Sequence, residues 1–242
     1  MTQRRIYSLV VSIALALSAA RTIASDAASV NKALDGEAQL QGGDADKALT
    51  ELAQRFKDNP NVKAHVVTEA EDLMLGTRKD EGEFLLDRAG RVLQKYTKPK
   101  MKLRLLEGAQ FHEYAASRKL DLVKDFSKAP KALKLLQAAV TVDVKELGQL
   151  FDISVYSKGP GMRLVLLPKV GAKNPLAYQY IQARVGEKDL FFSEIEYMPD
   201  SGKIVEHYSE ITAVAKFNDD DFNLHLPDGV VPKVEMISSD DK

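Results

Sequence analysis

Apolar and polar residues alternate along most of the chain, and this period of two predicts β-strands. The alternation is clearest between Gly82 and Tyr114, where Leu, Phe, Val and Tyr recur with Arg, Lys and Asp between them. Turn pairs such as Ala89-Gly90 and Glu107-Gly108 divide this stretch into short segments that fit antiparallel hairpins. The pattern indicates a meander of short strands and raises the question of what their apolar side chains face.

Two helical segments interrupt the predicted strands. Residues 125–140, DFSKAPKALKLLQAAV, place Leu133, Leu136 and Val140 on one helical face, and residues 142–151, VDVKELGQLF, form a shorter amphipathic segment. A separate helix is predicted for Asp44 to Phe56, with Asp44 as its N-cap. The predicted strands cover residues 64–70, 73–77, 82–87, 91–96, 102–106, 109–114, 152–156, 162–168, 177–185, 190–198, 203–213 and 222–226.

The first residues have the pattern of a secretory signal peptide. MTQRR is basic, IYSLVVSIALALSAA is an apolar run, and small residues then offer a cleavage site near Ala24. The run is too short to span a membrane comfortably, which favours a cleaved signal over an uncleaved anchor. We therefore predict a signal peptide at 1–24, a flexible spacer at 25–43, a folded domain at 44–235 and a disordered tail at 236–242. The mature chain is expected to be a soluble monomer in the periplasm.

Composition removes several classes of function. The 242 residues carry a net charge of -1, which argues against nucleic-acid binding, and they include no cysteine for a disulfide, a zinc thiolate or a nucleophile. The histidines are not spaced as metal ligands, and Asp219, Asp220 and Asp221 with His225 fit a solvated acidic turn better than a cation site. The sequence therefore predicts no metal site, no cofactor and no enzymatic activity.

Six short phrases, taken in order, are more specific. They are GEFLLDRAG, KYTKP, LEGAQFHEY, LVLLPK, DSGKI and FNLHLPDGV. Together they resemble the periplasmic lipoprotein carrier family, LolA, over residues 44–234. The spacing from Gly82 through Arg88 and Pro99 to Gly108 and Tyr114 fits the family's pattern without a gap.

The chain departs from the family at positions that bear on cargo. Arg88 is followed by Ala89 where the family has Arg-Pro, and Gln94 and Lys95 stand at strand positions that are rich in Trp in the family. The chain has no Trp, and Pro227 stands alone where the family has two prolines. These departures indicate a relative rather than a close orthologue, so the resemblance leaves the identity of the cargo open.

The resemblance implies a fold that is mainly β with helices: an incomplete, unclosed antiparallel β-barrel with an α-helical lid over its mouth. Alternate side chains of such a curved sheet face its interior. The residues expected to line a lipid-binding cavity are Phe84, Leu86, Val92, Tyr96, Leu103, Leu105, Phe111, Tyr114, Leu164 and Leu166. The alternative, from the residues alone, is that these side chains fill a dry core.

The resemblance also implies a function. Such a carrier binds the acyl chains of lipoproteins or other lipids, receives them from an inner-membrane donor complex and passes them to an outer-membrane acceptor protein. Leu133, Leu136 and Val140 would belong to the lid. Arg88 would be a latch whose guanidinium bonds the backbone of the lid in the closed state.

Alternatives remain for the latch and for the function. For Arg88 the alternative is a surface ion pair with Glu83 or Asp87. For the protein, one alternative is a lipid sensor or scaffold domain on the same fold, although a sensor usually has a second domain or a membrane helix, and neither is expected here. A third hypothesis is an exported enzyme, which would need a polar cluster inside the cavity.

Overall fold

The structure, a computed structural model, describes residues 27–72, 76–169, 178–199 and 202–238. The predicted signal peptide, 1–24, lies outside these ranges. The helices are α1 (Ala27–Val30), α2 (Gly42–Asp58), α3 (Pro130–Thr141) and α4 (Val144–Leu150), with a 3-10 helix at Asp219–Phe222. No helix in the described ranges is both long enough and apolar enough to cross a membrane.

In the described part of the chain, thirteen strands form one sheet. In chain order they are β1 (Ala38–Gln39), β2 (Asn61–Asp72), β3 (Gly76–Asp87), β4 (Arg91–Lys98), β5 (Lys102–Glu107), β6 (Gln110–Ala115), β7 (Leu120–Lys128), β8 (Phe151–Lys158), β9 (Gly161–Pro168), β10 (Tyr178–Val185), β11 (Glu194–Pro199), β12 (Gly202–Ala213) and β13 (Pro232–Ser238).

The sheet is an unclosed barrel wall. Its order is β1-β8-β9-β10-β11-β12-β2-β3-β4-β5-β6-β7-β13, so β1 and β13 are the two edge strands. Neighbouring strands pair antiparallel except β13, which runs parallel to β7. The fold class implied by the LolA resemblance is therefore confirmed: a mainly antiparallel, unclosed sheet with helices over one face.

The lid is the connection between the two sides of the gap. β7 lies next to one edge strand and β8 next to the other, and the chain passes from β7 through α3 and α4 to β8. Only Ala129 separates β7 from α3, and α4 runs directly into Phe151 of β8. The helical segment is therefore tied to the sheet at both of its ends.

Alternation along the strands creates an inner and an outer face. Phe84 and Leu86 are fully buried in a main cluster with the helices, on what we call the inner face, whereas Leu85 between them points the other way. The outer face carries a smaller cluster formed by Leu85, Leu93, Leu105, Phe217 and Phe222. The segment after β12 thus covers part of the outer face.

Several predicted boundaries are corrected by the structure. The strand β7 was not predicted, because its last residues were assigned to the helical segment that begins at 125 in the sequence pattern. Residues 222–226 were predicted as a strand, but a 3-10 helix ends at Phe222 and irregular chain follows. Residues 236–238 were predicted to be disordered and instead belong to β13, whose parallel partner β7 is too distant in sequence for local patterns to reveal.

The predicted spacer is also more ordered than expected, since it packs on the outer face of the sheet. Arg163 of β9 is 2% exposed and lies 2.5 Å from Glu37, and its Nη2 and Nη1 donate to the carbonyls of Lys32 (2.7 Å) and Val30 (3.1 Å). The N-cap prediction is wrong as well, because α2 begins two residues before Asp44. The ordered domain thus includes residues ahead of 44.

Candidate lipid-binding interior

Apolar side chains from both sides of the gap meet in the interior of the sheet. Seven of the predicted cavity residues lie there, in one continuous buried cluster: Phe84, Leu86, Val92, Tyr96, Phe111, Leu164 and Leu166. Each is at most 8% exposed. In this arrangement the side chains fill the interior, so a guest molecule would have to displace some of them.

Three other predicted cavity residues, Leu103, Leu105 and Tyr114, lie on the outer face, and that part of the prediction is wrong. Leu105 packs in the outer cluster. Leu103 is two residues earlier on the same strand, and Tyr114 is its direct partner on β6, so both share that face. The cause is the register, which pairs Val92 with Leu106 and turns Leu106 inward.

The lid helices cover the interior at the gap. Leu136 of α3 is 1% exposed inside the main cluster, and Leu133 is partly buried against it. The side chain of Val140, the third predicted lid residue, lies outside the described part of the structure. Lys134 Nζ of α3 is 2.8 Å from Glu146 Oε2 of α4. The two helices are therefore joined by an ion pair as well as by a short turn.

The carboxyl-terminal end of α2 places an aromatic ring in the interior. Phe56 is fully buried, and its ring centroid is 5.3 Å from that of Phe192 and 6.2 Å from that of Phe191, both between β10 and β11. Phe191 also stacks on Phe84 at 4.9 Å and meets Tyr208 edge-on at 5.0 Å. These ring contacts hold α2 against the β10–β11 connection, which in turn packs on β3 and β12.

Arg88 fastens the same end of α2. Its Nη1 donates to the carbonyl oxygens of Phe56 (2.9 Å) and Asn59, and its Nη2 donates to that of Leu190 (3.1 Å). The guanidinium carbon is 4.5 Å from the ring centroid of Phe56. The last carbonyls of a helix carry partial negative charge, which makes a cation favourable there. Burial lowers the pKa of Arg88 to about 10, so the side chain stays charged at neutral pH.

The partners of Arg88 differ from those predicted. Its acceptors belong to α2, to the residue after α2 and to the β10–β11 connection, whereas the predicted latch bonds the helix that carries Leu133. Among the described residues, no ion pair joins Arg88 to Glu83 or Asp87. Asp87 Oδ2 accepts from Arg91 Nη2 at 2.9 Å, and Glu83 pairs with Lys63 at 2.9 Å.

A cleft of about 880 Å³ lies beside Arg88, between α2 and the α3–α4 turn. Leu49 forms part of one wall, and Val142 and Val144 form part of the other. The same three residues pack in or against the main cluster. The cleft therefore leads from solvent to apolar side chains that border the interior.

Polar side chains occupy the opposite end of the inner face, where the sequence predicted apolar ones. We call Gln94, Lys102, Arg104, Glu113 and Glu206 the polar cluster. Gln94 Nε2 donates to Glu206 Oε1 at 3.1 Å, and the Tyr208 hydroxyl donates to Glu206 Oε2 at 2.6 Å. Burial raises the pKa of Glu206, although the bond from Tyr208 opposes this effect.

Lys102 and Asp80 form an ion pair of 2.5 Å at the edge of the polar cluster. Burial lowers the pKa of Lys102 to about 7, and the nearby cations Arg104 and Arg78 act in the same direction, against the attraction of Asp80. Burial alone would raise the pKa of Asp80, but Lys102, together with Arg78 and Arg104, outweighs it, and the pKa of Asp80 is lowered. This end of the interior is therefore strongly charged.

Gly82 lets β3 and β4 approach each other beside the polar cluster. A Cβ at this position would lie 2.0 Å from the carbonyl oxygen of Lys95 and 2.6 Å from Cα of Tyr96. The β3–β4 register shifts between Glu81 and Gly82. Glycine is thus required for the wall to keep Tyr96 in place.

The sequence did contain a signal for the polar cluster. Gln94 stands between Val92 and Tyr96 at an inward position, and Arg104 stands two residues before Leu106, so both interrupt apolar inner-face runs. Because Leu103 and Leu105 were predicted to point inward, Arg104 between them was expected to point outward, and the polar cluster was not predicted. Within the described ranges, no group of three or more His, Asp or Glu side chains could hold a metal ion.

No protein-family profile and no curated protein matches the chain. Among solved structures, an uncharacterized conserved protein from Thermus thermophilus matches at 8% identity and a TM-score of 0.47, over 78% of this chain and 99% of that one. A DUF1329 family protein from Desulfovibrio piger matches at 14% and 0.42, over 74% and 97%. A LolA superfamily protein from Nitrosomonas europaea matches at 11% and 0.39, over 74% and 97%. Similarities this low carry no argument about function.

Proposed function

We propose that this protein is a carrier that takes up acyl chains of lipoproteins or other lipids in the interior of its unclosed barrel. The observation that carries the proposal is the covering of the inner face: a continuous apolar cluster is closed by helices rather than by a second sheet. Helices that pack through side chains can move away without breaking strand hydrogen bonds. A guest can therefore enter while the hydrogen bonds between strands stay intact.

The side chains that fill the interior also suit a carrier. Burying an acyl chain is worth about 0.8 kcal/mol per methylene, so a lipid anchor needs an apolar enclosure to travel through water. In the structure Leu136 and Phe56 occupy that enclosure. Cargo has to displace them, which lowers its net affinity and permits release.

The cleft between α2 and the α3–α4 turn is the proposed entrance. It is open to solvent, and Leu49, Val142 and Val144 connect it to the main cluster. Arg88 lies at its side and holds the end of α2. In this proposal Arg88 is a latch on α2, and separating α2 from the β10–β11 connection widens the entrance.

The wider setting of the proposal rests on the resemblance of the quoted phrases to the LolA family. We propose that the carrier works in the periplasm as a monomer, receives cargo from an inner-membrane donor complex and delivers it to an outer-membrane acceptor protein. It needs no cofactor and performs no catalysis in this scheme. The sensor or scaffold alternative shares the binding step and differs in lacking delivery.

Native mass spectrometry of the full chain, purified from a bacterial periplasm, tests the binding step. We expect a fraction of the protein to carry an added mass that organic extraction releases as an acylated lipid or lipoprotein. Only lipid-free protein, together with no binding of a fluorescent acyl probe, would contradict the proposal. Transfer of a labelled lipoprotein from donor to acceptor vesicles then separates a carrier from a sensor, which would bind without delivering.

A further inference from the structure

Arg104 is a buried cation with donors that lack hydrogen-bond acceptors. It is 2% exposed, and its Nε and Nη1 find no partner among the described residues. It precedes Leu106 by two positions on β5, so both lie on the inner face, and its guanidinium carbon is 5.9 Å from the ring centroid of Tyr96. Buried donors without acceptors are rare and costly, so a ligand that supplies acceptors at this site would be favoured.

The acidic side chains near Arg104 do not hydrogen-bond its Nε or Nη1, and Glu113 Oε2 is itself buried without a partner among the described residues. Glu206 accepts the two hydrogen bonds described above, and Glu113 Oε1 lies 3.5 Å from Arg118 Nη2. Burial acts to lower the pKa of Arg104, but the electrostatic influence of its titratable neighbours, Tyr96, Glu113, Tyr197 and Glu206, outweighs it and raises the pKa. Arg104 is therefore a permanent cation with donors that these acids do not satisfy.

An apolar tract leads away from Arg104 along the inner face. Leu106 is the next inward residue on β5, Val92 is its partner on β4 and Phe111 its partner on β6. All three are at most 2% exposed and belong to the cluster that also contains Leu136 of the lid. A polar anchor and an apolar tract therefore lie in one continuous interior.

We propose, building on the carrier function above, that this interior binds a single-chain amphiphile with a carboxylate head group, with the head at Arg104 and the tail toward the lid. A carboxylate matches the guanidinium fork and can accept from two of its donors. Its single negative charge is also the better fit, because a doubly charged phosphate would meet the acids Glu113 and Glu206. An acyl chain that ends in a methyl group would leave the donors of Arg104 without acceptors. The ligand class is thus the free long-chain carboxylic acids.

Displacement of a fluorescent acyl probe from the full chain tests this assignment. We expect laurate to bind at least about tenfold more tightly than dodecan-1-ol, a difference of about 1.4 kcal/mol, and more tightly than dodecyl phosphate. In Arg104→Met the affinity for laurate should fall to that for dodecan-1-ol, which should stay nearly unchanged. Arg78→Met removes a half-exposed cation from the same end and should keep the preference for laurate.

The outcomes separate this proposal from the carrier function. Equal binding of laurate and dodecan-1-ol by the wild type would overturn the carboxylate site and leave acyl binding intact. Dodecyl phosphate that binds as tightly as laurate would overturn the carboxylate assignment. If no acyl probe binds at all, the carrier proposal itself fails. Circular dichroism checks the fold of Arg104→Met, and if that variant does not fold, the comparison of the three ligands on the wild type decides.

Discussion

Arg88, in the β3–β4 turn, and Arg104, on β5, are two arginines whose charges meet very different surroundings. The donors of Arg88 reach three backbone carbonyls, so its charge joins α2 to the β10–β11 connection. Arg104 lies deeper, and two of its donors have no acceptor within the described ranges. Residue type alone would not separate these roles. The two arginines differ in depth and in the number of donors that lack an acceptor among the described residues, which is Nε alone for Arg88 but both Nε and Nη1 for Arg104.

Replacing Arg88 with Leu should loosen α2. The variant loses hydrogen bonds from a charged donor, each worth about 1.5–3 kcal/mol. We expect amide hydrogen exchange within α2 to accelerate about tenfold or more, and the acyl probe to bind more tightly because the closed state competes less. Arg91→Leu is the matched control, since Arg91 pairs with Asp87 and Asp219 instead. Equal exchange in α2 in both variants would rule out the latch.

Lys102 should make the folding stability depend on pH. In the folded protein its pKa is about 7, mainly because of burial, whereas a lysine in an unfolded chain titrates near about 10.4. Between these values the unfolded chain binds more protons, so stability rises with pH. Urea denaturation should show the wild type gaining up to about 1.4 kcal/mol per pH unit relative to Lys102→Met between about pH 7 and about pH 9. Parallel curves would mean that Lys102 keeps its proton.

At the scale of elements, periodicity predicted most strands and both lid helices, because a half-buried strand and an amphipathic helix leave different repeats in the sequence. Periodicity did not decide which face of a strand points inward. The inner face of β5 was assigned to Leu103 and Leu105, although Arg104 and Leu106 occupy it. Alternation gives two faces without saying which is inward. That choice depends on pairing with β4, which the sequence pattern does not reveal.

Of the lid helices, α3 offers the sharper test through Leu133. This residue is only partly buried against the main cluster, so a charge there should spare the fold while disfavouring contact with an acyl chain. We expect Leu133→Asp to weaken binding of the acyl probe by about tenfold, in line with losing part of a leucine contact worth about 1.5–3 kcal/mol. Gln137→Asp adds the same charge at an exposed position of the same helix and should bind normally. Equal affinities would show that this face of α3 does not meet the guest.

At the scale of the molecule, the sequence predicted the unclosed sheet and its lid. It did not predict how the two ends of the described chain pack against that sheet. The LolA resemblance implied the unclosed sheet and the lid, and both are present. The packing of residues 30–37 on the outer face was not predicted, because it depends on Arg163 meeting Glu37 across a long stretch of chain. The parallel pairing of β13 with β7 escaped prediction for the same reason.

The attachment of the lid at both ends has a mechanical consequence. A flap hinged on one side could rise and leave the sheet unchanged, whereas α3 and α4 bridge the two margins of the gap as a strap. We expect a guest bound beneath α3 and α4 to push the two margins of the gap apart. The distance between β1 and β13 should then increase. Spin labels at Gln39→Cys and Lys233→Cys, in a chain that has no other cysteine, would measure the spread, and an unchanged distance on loading would refute it. The curvature of the sheet would then change when cargo binds, and a docking protein could recognise this change from outside.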